Sequence, residues 1–334
     1  MRIGMNPQKE EKKVILNTHH RIIIVVYIPN EEGFYKDSFD VFKTCLDSLI
    51  STTNSNIAIT VVNNGSYSKV GELLELYYRD KKIDTVISHN VNIGKIDAQI
   101  GAARGAREKY ITLTDADILF VDGWQEKVEE IFSSFKNVGS VSPIPIRTGL
   151  YAGTSSTLKQ ILLRRVKFSF VSLPENLENY NKFLSSINWE LETDKNKKWP
   201  VLESNGVKAI IGSAHQVLTI DRDILFTVSP SNPSLTLVGG NSEHNYVDVP
   251  VDKAGKLRLA TLNNYAFHIG NKLEDWMIKV QETNVNTNKN SEVLKNESDF
   301  SISRDLFNSK ISYKLYHARK RFIKKVFSLM YGKE

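Results

Sequence analysis

Between Arg21 and Ile144 five short apolar runs, rich in Ile, Val and Thr, are separated by stretches with helical spacing. The runs read RIIIVVYI, IAITVV, DTVISH, KYITLTDAD and VGSVSPI. A short, continuous, β-branched run bounded by polar residues reads as a strand buried on both faces. The stretches between them repeat apolar residues every three or four positions, as in Phe39, Phe42, Cys45 or Leu46, and Leu49. A second such face carries Ile96, Ile100, Ala103 and Ala106. Alternation of this kind predicts an α/β fold, with a parallel or mostly parallel central sheet and flanking helices. Ligands of such sheets bind at the carboxyl ends of the strands.

The remainder is less regular. Residues 1–20 are polar and mixed in charge and read as a flexible leader. Residues 150–205 are rich in Lys, Asn and Glu, with Trp189 and Trp199, and read as an inserted, partly helical segment. VKAIIG, HQVLTI and KLRLAT predict further strands, and NSEHNYVDVPVDKAG predicts a helix with a Gly stop. Residues 281–304 read as a polar linker and 305–334 as a basic amphipathic tail helix.

Composition excludes several classes. With 334 residues, 41% hydrophobic and 25% charged, the chain can bury a large core and is not a disordered polymer. Its single cysteine, Cys45, rules out an intrachain disulfide framework and a Cys-rich zinc site, which suits a reducing cytoplasm. The longest apolar run, Ile22 to Ile28, falls far short of the ~20 residues a spanning helix needs. No charged-then-apolar signal precedes it, so a cytoplasmic location is expected. The formal charge of +6 is concentrated in the tail: Lys310 to Glu334 holds eight Lys or Arg residues and one acid. The preceding chain is close to neutral, which disfavours nucleic acid as a partner. Ile311, Leu315, Ala318, Phe322, Val326 and Leu329 recur at helical spacing among those cations. Such a helix can lie on an anionic membrane surface, or pack its apolar stripe on the body.

The chemistry-bearing residues gather where strands end. Asp115-Ala116-Asp117 closes an apolar strand. Two carboxylates so placed can hold Mg²⁺ or Mn²⁺, whose coordination substrate phosphates and water complete. The same tripeptide also occurs as a solvated turn. Asn63-Asn64-Gly65 closes another strand, and Gly94-Lys95 enters a helix. Both also fit plain backbone roles, a turn at positive φ and a helix entry.

Taken in order, YIPNEE, VVNNGS, NIGKIDAQIGAARGAREKYI and the acidic pair resemble the family 2 glycosyltransferases of the GT-A fold, over about Arg21 to Trp124. The resemblance implies a nucleotide-sugar-binding half at 21–145 and an acceptor-binding half at 146–280. It implies that Pro29, Asn30, Glu31, Asn63, Gly94, Lys95 and Asp115 contact the nucleotide, and that Asp117 binds the metal. Asn63 stands where the family usually has an Asp. GGNSEHNYVDVPVDKAG resembles the family's later stretch, in which an acidic pair opens a helix. Glu243 occupies its first position and His244 replaces the Asp. The base that accepts the acceptor's proton is then one of Glu243, His244 and Asp248, with Glu243 favoured. His268 follows the last strand of the match, where the family's His completes the metal site or contacts the diphosphate.

The expected activity is inverting, metal-dependent transfer of a hexosyl or N-acetylhexosaminyl group. The donor is a nucleotide sugar, with UDP favoured by family frequency. The acceptor is a glycan or lipid-linked molecule in bacterial surface-polysaccharide synthesis, reached from the inner face of the cell membrane. Two alternatives stand beside it: a non-catalytic membrane-surface protein of the same fold, and a sugar-phosphate nucleotidyltransferase. The loop PNEEGF lacks the Gly-rich, Arg-containing character of the latter. No G-x-x-x-x-G-K phosphate loop is present.

Overall fold

The structure, a computed structural model, describes residues 4–9, 14–54, 56–285 and 310–332. In chain order the elements are β1 (His20–Val26), α1 (Ser38–Thr52), β2 (Ile57–Asn64), α2 (Ser68–Arg79), β3 (Thr85–His89), α3 (Lys95–Arg104) and β4 (Tyr110–Thr114). There follow β5 (Ile118–Phe120), α4 (Trp124–Ser134), β6 (Val138–Ser142), α5 (Ser155–Leu162), β7 (Lys167–Ser172), α6 (Leu177–Ser186), β8 (Lys198–Ser204), β9 (Val207–Ile211) and β10 (Val217–Asp221). The last are α7 (Arg222–Thr227), α8 (Val249–Lys253), β11 (Leu257–Thr261), β12 (Ala266–His268), α9 (Asp275–Val285) and α10 (Lys310–Tyr331).

The five strands read from the sequence are β1, β2, β3, β4 and β6. Ile22, Ile23 and Ile24 are fully buried in β1, which pairs in parallel with β2 on one side and β4 on the other. Helices cover both faces of this strand, α1 burying Phe42, Cys45, Leu46 and Leu49 and α3 burying Ile96, Ile100 and Ala103. These two sets belong to separate hydrophobic clusters that share β1 between them.

The expectation of a mostly parallel sheet is corrected. The sheet has 10 strands in the order β3-β2-β1-β4-β10-β6-β11-β9-β8-β7, and it is mixed. β10 enters antiparallel between β4 and β6, and β9, β8 and β7 extend the far edge as an antiparallel meander beyond β11. Two of those strands lie in the stretch read as an inserted, partly helical segment. In β7 the apolar Phe168 and Phe170 interleave with exposed Lys167, Ser169 and Ser172, the pattern of a half-buried edge strand. Lys and Ser on its solvent side hid it in the composition. Trp199 of β8 is core, edge-on to Tyr180, whereas Trp189 is exposed.

A second sheet of two strands pairs β12 antiparallel to β5, with His268 opposite Ile118. α9 carries helix through Val285, and residues 286–304 of the polar stretch lie outside the described residues. In α10 Tyr316, Ile323 and Phe327 are buried, Phe327 packing on Phe168 and the Tyr316 hydroxyl donating to Asp252 of α8 at 2.6 Å. Among the described residues no helix is long and apolar enough to cross a membrane.

Candidate active site

A cleft of about 630 Å³ opens at the carboxyl ends of β1, β2 and β4. That volume is in the range of small-molecule sites. Its polar floor is formed by Lys95, Asp115, Asp117 and His268, and one wall by Tyr27 and Tyr35, packed edge to face with ring centroids 6.2 Å apart.

Lys95 is the first residue of α3, and its Nζ lies 2.6 Å from Asp115 Oδ1 and 3.3 Å from Glu243 Oε1. Burial opposes the charge on Lys95, but the two carboxylates outweigh it and raise its pKa. Burial raises the Asp115 carboxyl against the pull of Lys95, with the neighbouring Asp117 charge acting in the same direction as burial. Gly94, which precedes Lys95, has φ of 96°. A Cβ there would collide with the Thr236 carbonyl oxygen. The same loop accepts the Lys95 N–H on the Leu237 carbonyl at 2.9 Å, so the glycine allows a loop to lie against the helix entry.

The pairing of β12 with β5 brings His268 to the acidic pair. Ile269 N–H donates to the Asp117 carbonyl at 2.9 Å, and His268 Nε2 lies 3.3 Å from Asp117 Oδ2. Ser186 Oγ engages Nδ1 of the same ring at 2.9 Å. Burial lowers the His268 pKa, and Asp117 and Asp115 more than reverse this. Asp117 Oδ1 is buried and has no hydrogen-bond partner among the described residues. A buried carboxylate oxygen without a donor is costly, and it is explained by a cation or donor that binds there.

Among the described residues no three His, Cys, Asp or Glu side chains stand together as a ready-made metal centre. Of the expected set, Asp117 and His268 face one another while Asp115 is engaged by Lys95. Magnesium-type sites commonly use only one or two carboxylates and take the remainder from phosphate and water, so the residues present fit such an ion.

Other expected nucleotide contacts fall differently. Asn63 Oδ1 accepts from Ser66 N–H at 2.9 Å inside the turn, and Asn64 lines the cleft instead. Adjacent strand residues point to opposite faces, so only one of the two can reach it. Asn64 is anchored by donating from Nδ2 to Asn92 Oδ1 at 2.9 Å and by accepting from Ile93 N–H on Oδ1 at 3.1 Å. Asn30 and Glu31 are exposed, Glu31 pairing with Lys69 at 2.6 Å, and Pro29 is half-buried. Those three do not line the cleft, whereas Ile28 and Tyr27 do.

Each of the three acid–base candidates already has a partner. Glu243 is buried; burial acts to raise its pKa, but Lys95 and the Ser242 hydroxyl, 2.9 Å away, hold it below the ordinary range. Asp248 is buried and bonded through Oδ1 to Arg258 Nη2 at 2.6 Å. Burial acts against its charge, and Arg258 with two imidazoles still holds it far below the carboxylate range. His244 Nδ1 is 3.4 Å from Asp248 Oδ2, and His215 Nδ1 is 3.8 Å from the same oxygen. His215 and Arg258 were not anticipated. A signal existed for Arg258, an arginine inside the apolar run KLRLAT, where a buried charge demands a partner.

Residues 22–179 match the family described as Glycosyl transferase family 2. The chain is 34% identical over 97 residues to the uncharacterized glycosyltransferase EpsJ of Bacillus subtilis, covering 29% of this chain and 26% of that protein. It is 26% identical over 103 residues to the uncharacterized glycosyltransferase YibD of Escherichia coli, covering 31% and 28% respectively. The matched part thus spans little more than a quarter of either curated relative. Among solved structures, TarS of S. aureus aligns with a TM-score of 0.43 at 11% identity, over 75% of this chain and 36% of that one.

Proposed function

From a chain that belongs, through residues 22–179, to the glycosyl transferase family 2, we propose an inverting, metal-dependent glycosyltransferase of the GT-A type. It moves a hexosyl or N-acetylhexosaminyl group from a nucleotide sugar, UDP favoured, to a glycan or lipid-linked acceptor in bacterial surface-polysaccharide synthesis. The observation that carries this reading is the unpartnered, buried Asp117 Oδ1 in the floor of a cleft large enough for a nucleotide sugar. Asp117, with His268 and Asp115 beside it, would hold Mn²⁺ or Mg²⁺. When bound, that ion neutralises diphosphate charge and stabilises the leaving group. Asn64 and the Tyr27–Tyr35 wall shape the donor cavity, and Lys95 adds a fixed positive charge beside the acids. Glu243, Lys95 and Asp115 form one ion-paired row, which supports reading its Glu243 end as the acceptor side.

Thermal denaturation with UDP, GDP, dTDP or CMP, each with Mn²⁺ or EDTA, tests the donor class. A ligand at 100 times its Kd adds about 2.7 kcal/mol, which raises Tm by a few degrees. One nucleotide is expected to give that shift with Mn²⁺ and lose it with EDTA. No shift with any of the four would defeat the proposal.

The tail supports peripheral attachment at the inner face of the membrane. The face of α10 that packs on the body carries Tyr316, Ile323 and Phe327. A different stripe, with Leu315, Phe322 and Leu329 at 64%, 69% and 77% exposure, remains outward. Lys314, Arg321 and Lys325, all exposed, flank it. Apolar residues flanked by cations suit an anionic interface, where each cation contributes about 1 kcal/mol. Flotation with phosphatidylglycerol vesicles is expected to carry the protein at low salt, and Phe322→Glu with Leu329→Glu to reduce binding at least about tenfold. Equal flotation of the double variant would show that another surface binds.

A further inference from the structure

We propose that His215 is the base that takes the proton from the acceptor hydroxyl, with Asp248 as the carboxylate that orients it. This inference rests on the glycosyltransferase reading and names a residue of the same site. Inverting transfer needs a group able to accept a proton, close to the donor site and open to a second substrate. Glu243 is already balanced by Lys95, and Asp248 by Arg258. Each has its negative charge stabilised by a cation, which weakens it as a base.

His215 differs on each count. Its side chain is 45% exposed, against 34% for His244, 6% for Asp248 and 11% for Glu243. It lies on the loop between β9 and β10, and the next residue fastens that loop to the acidic pair, the Gln216 carbonyl accepting Asp115 N–H at 2.8 Å. The Oε1 of Gln216 is buried with no hydrogen-bond partner, an acceptor left for a donor that the described residues do not supply. A sugar hydroxyl is such a donor. Nδ1 of His215 faces Asp248 Oδ2 at 3.8 Å, in ion-pair range, which leaves Nε2 as the nitrogen available to substrate. Arg258 fixes that carboxylate through Oδ1, donates further to the Ser213 carbonyl at 2.9 Å and also bonds the Ala152 carbonyl. The acceptor-side loop and the orienting carboxylate are therefore held by one guanidinium.

The groups around His215 are Asp248 and His244 from the helical turn, Arg258 from β11, Lys95 from α3 and Asp115 at the end of β4. The Asp248 carboxylate raises the imidazole pKa, burial opposes it, and the rise prevails. In the step, the acceptor O–H bond breaks and its proton passes to Nε2. The oxygen lone pair forms the bond to the anomeric carbon. The bond from that carbon to the diphosphate oxygen breaks, and its electron pair leaves with the nucleoside diphosphate.

The test uses the full chain with Mn²⁺ and UDP-N-acetylglucosamine, UDP-glucose and GDP-mannose, with water standing in for the acceptor. Hydrolysis is followed from pH 5 to 9 in the wild type, His215→Asn and His244→Asn, and sugar-nucleotide binding is read from Tm. His215→Asn is expected to bind as the wild type does while kcat falls about 10²-fold or more. Its acid limb, which in the wild type reports the imidazole, should disappear. His244→Asn should keep a titrating limb, whatever its rate. An acid limb that survives in His215→Asn, or that vanishes only in His244→Asn, overturns the assignment. Failure of the glycosyltransferase reading looks different, because the wild type would then neither bind nor hydrolyse any of the three donors.

Discussion

Asp117→Ala is expected to lower Mn²⁺-dependent turnover of the sugar nucleotide by about 10³-fold, equivalent to ~4 kcal/mol of transition-state stabilisation. The same substitution should leave the melting temperature of the ligand-free protein within a degree or two of the wild type. The reason lies in its carboxylate: among the described residues Oδ1 is buried without a donor, and Oδ2 lies 3.3 Å from His268 Nε2. A group whose hydrogen-bonding capacity is unfilled in the free protein contributes little to holding it together. Its presence is explained by what binds. Turnover measured with Mn²⁺, together with Tm with and without nucleotide, separates this from a structural role. A variant that keeps a tenth of the activity, or melts several degrees lower without ligand, contradicts the assignment.

The largest stability effect is expected at Arg258. Arg258→Met removes the guanidinium that meets the buried Asp248 at 2.6 Å and leaves that charge beside two imidazoles. Breaking a buried pair from one side costs about 3–5 kcal/mol, which corresponds to a fall in Tm of roughly 5–10 °C. In the wild type the depressed Asp248 pKa stabilises the fold at any pH above the ordinary aspartate value of about 3.9, and that contribution is lost as pH falls toward the folded-state value. Without Arg258 burial dominates, and the carboxyl prefers its neutral form. The gap between variant and wild type should therefore narrow as pH falls. Asp248→Asn added to Arg258→Met should recover part of the loss, because no buried charge then remains. Chemical denaturation at pH 4.5 and 7.5 measures both effects. A gap independent of pH would mean that lost packing, not the charge, sets the cost.

How much could be read from the chain differs by element. The β1, β2, β3, β4 and β6 strands were legible because each is a compact apolar run between turn residues, and local patterning suffices to define it. β7 was not, since its polar, solvent-facing residues dilute the apolar signal, and β8 was not, because its buried run is only Trp199–Leu202 and holds a proline. The mixed direction of the sheet was not legible either. Strand direction depends on where a connection re-enters, and β10 inserts between two strands from the other half of the chain. In the site, the acidic pair, Lys95 and His268 were identified from the sequence and are brought together. The resemblance pointed to Asn63, whereas Asn64 lines the cleft, because which of two neighbours faces the ligand depends on a register one residue wide.

The sequence by itself determined the strand–helix alternation, the acids at the end of β4, the glycine at the entry of α3 and the basic character of the tail. These are local properties, set by side-chain type and spacing within a few residues. Tertiary structure decided which of those groups are available. His268 meets Asp117 only because β12 pairs with β5, and His215 stands beside the acidic pair only because Gln216 bonds to Asp115. Asp248 is tied to Arg258 of the adjacent β11, and α10 faces outward on one stripe because another aromatic stripe is buried. Whether a carboxylate is a ligand, a base or half of an ion pair depends on the nearest opposite charge. That charge often comes from residues far away along the chain.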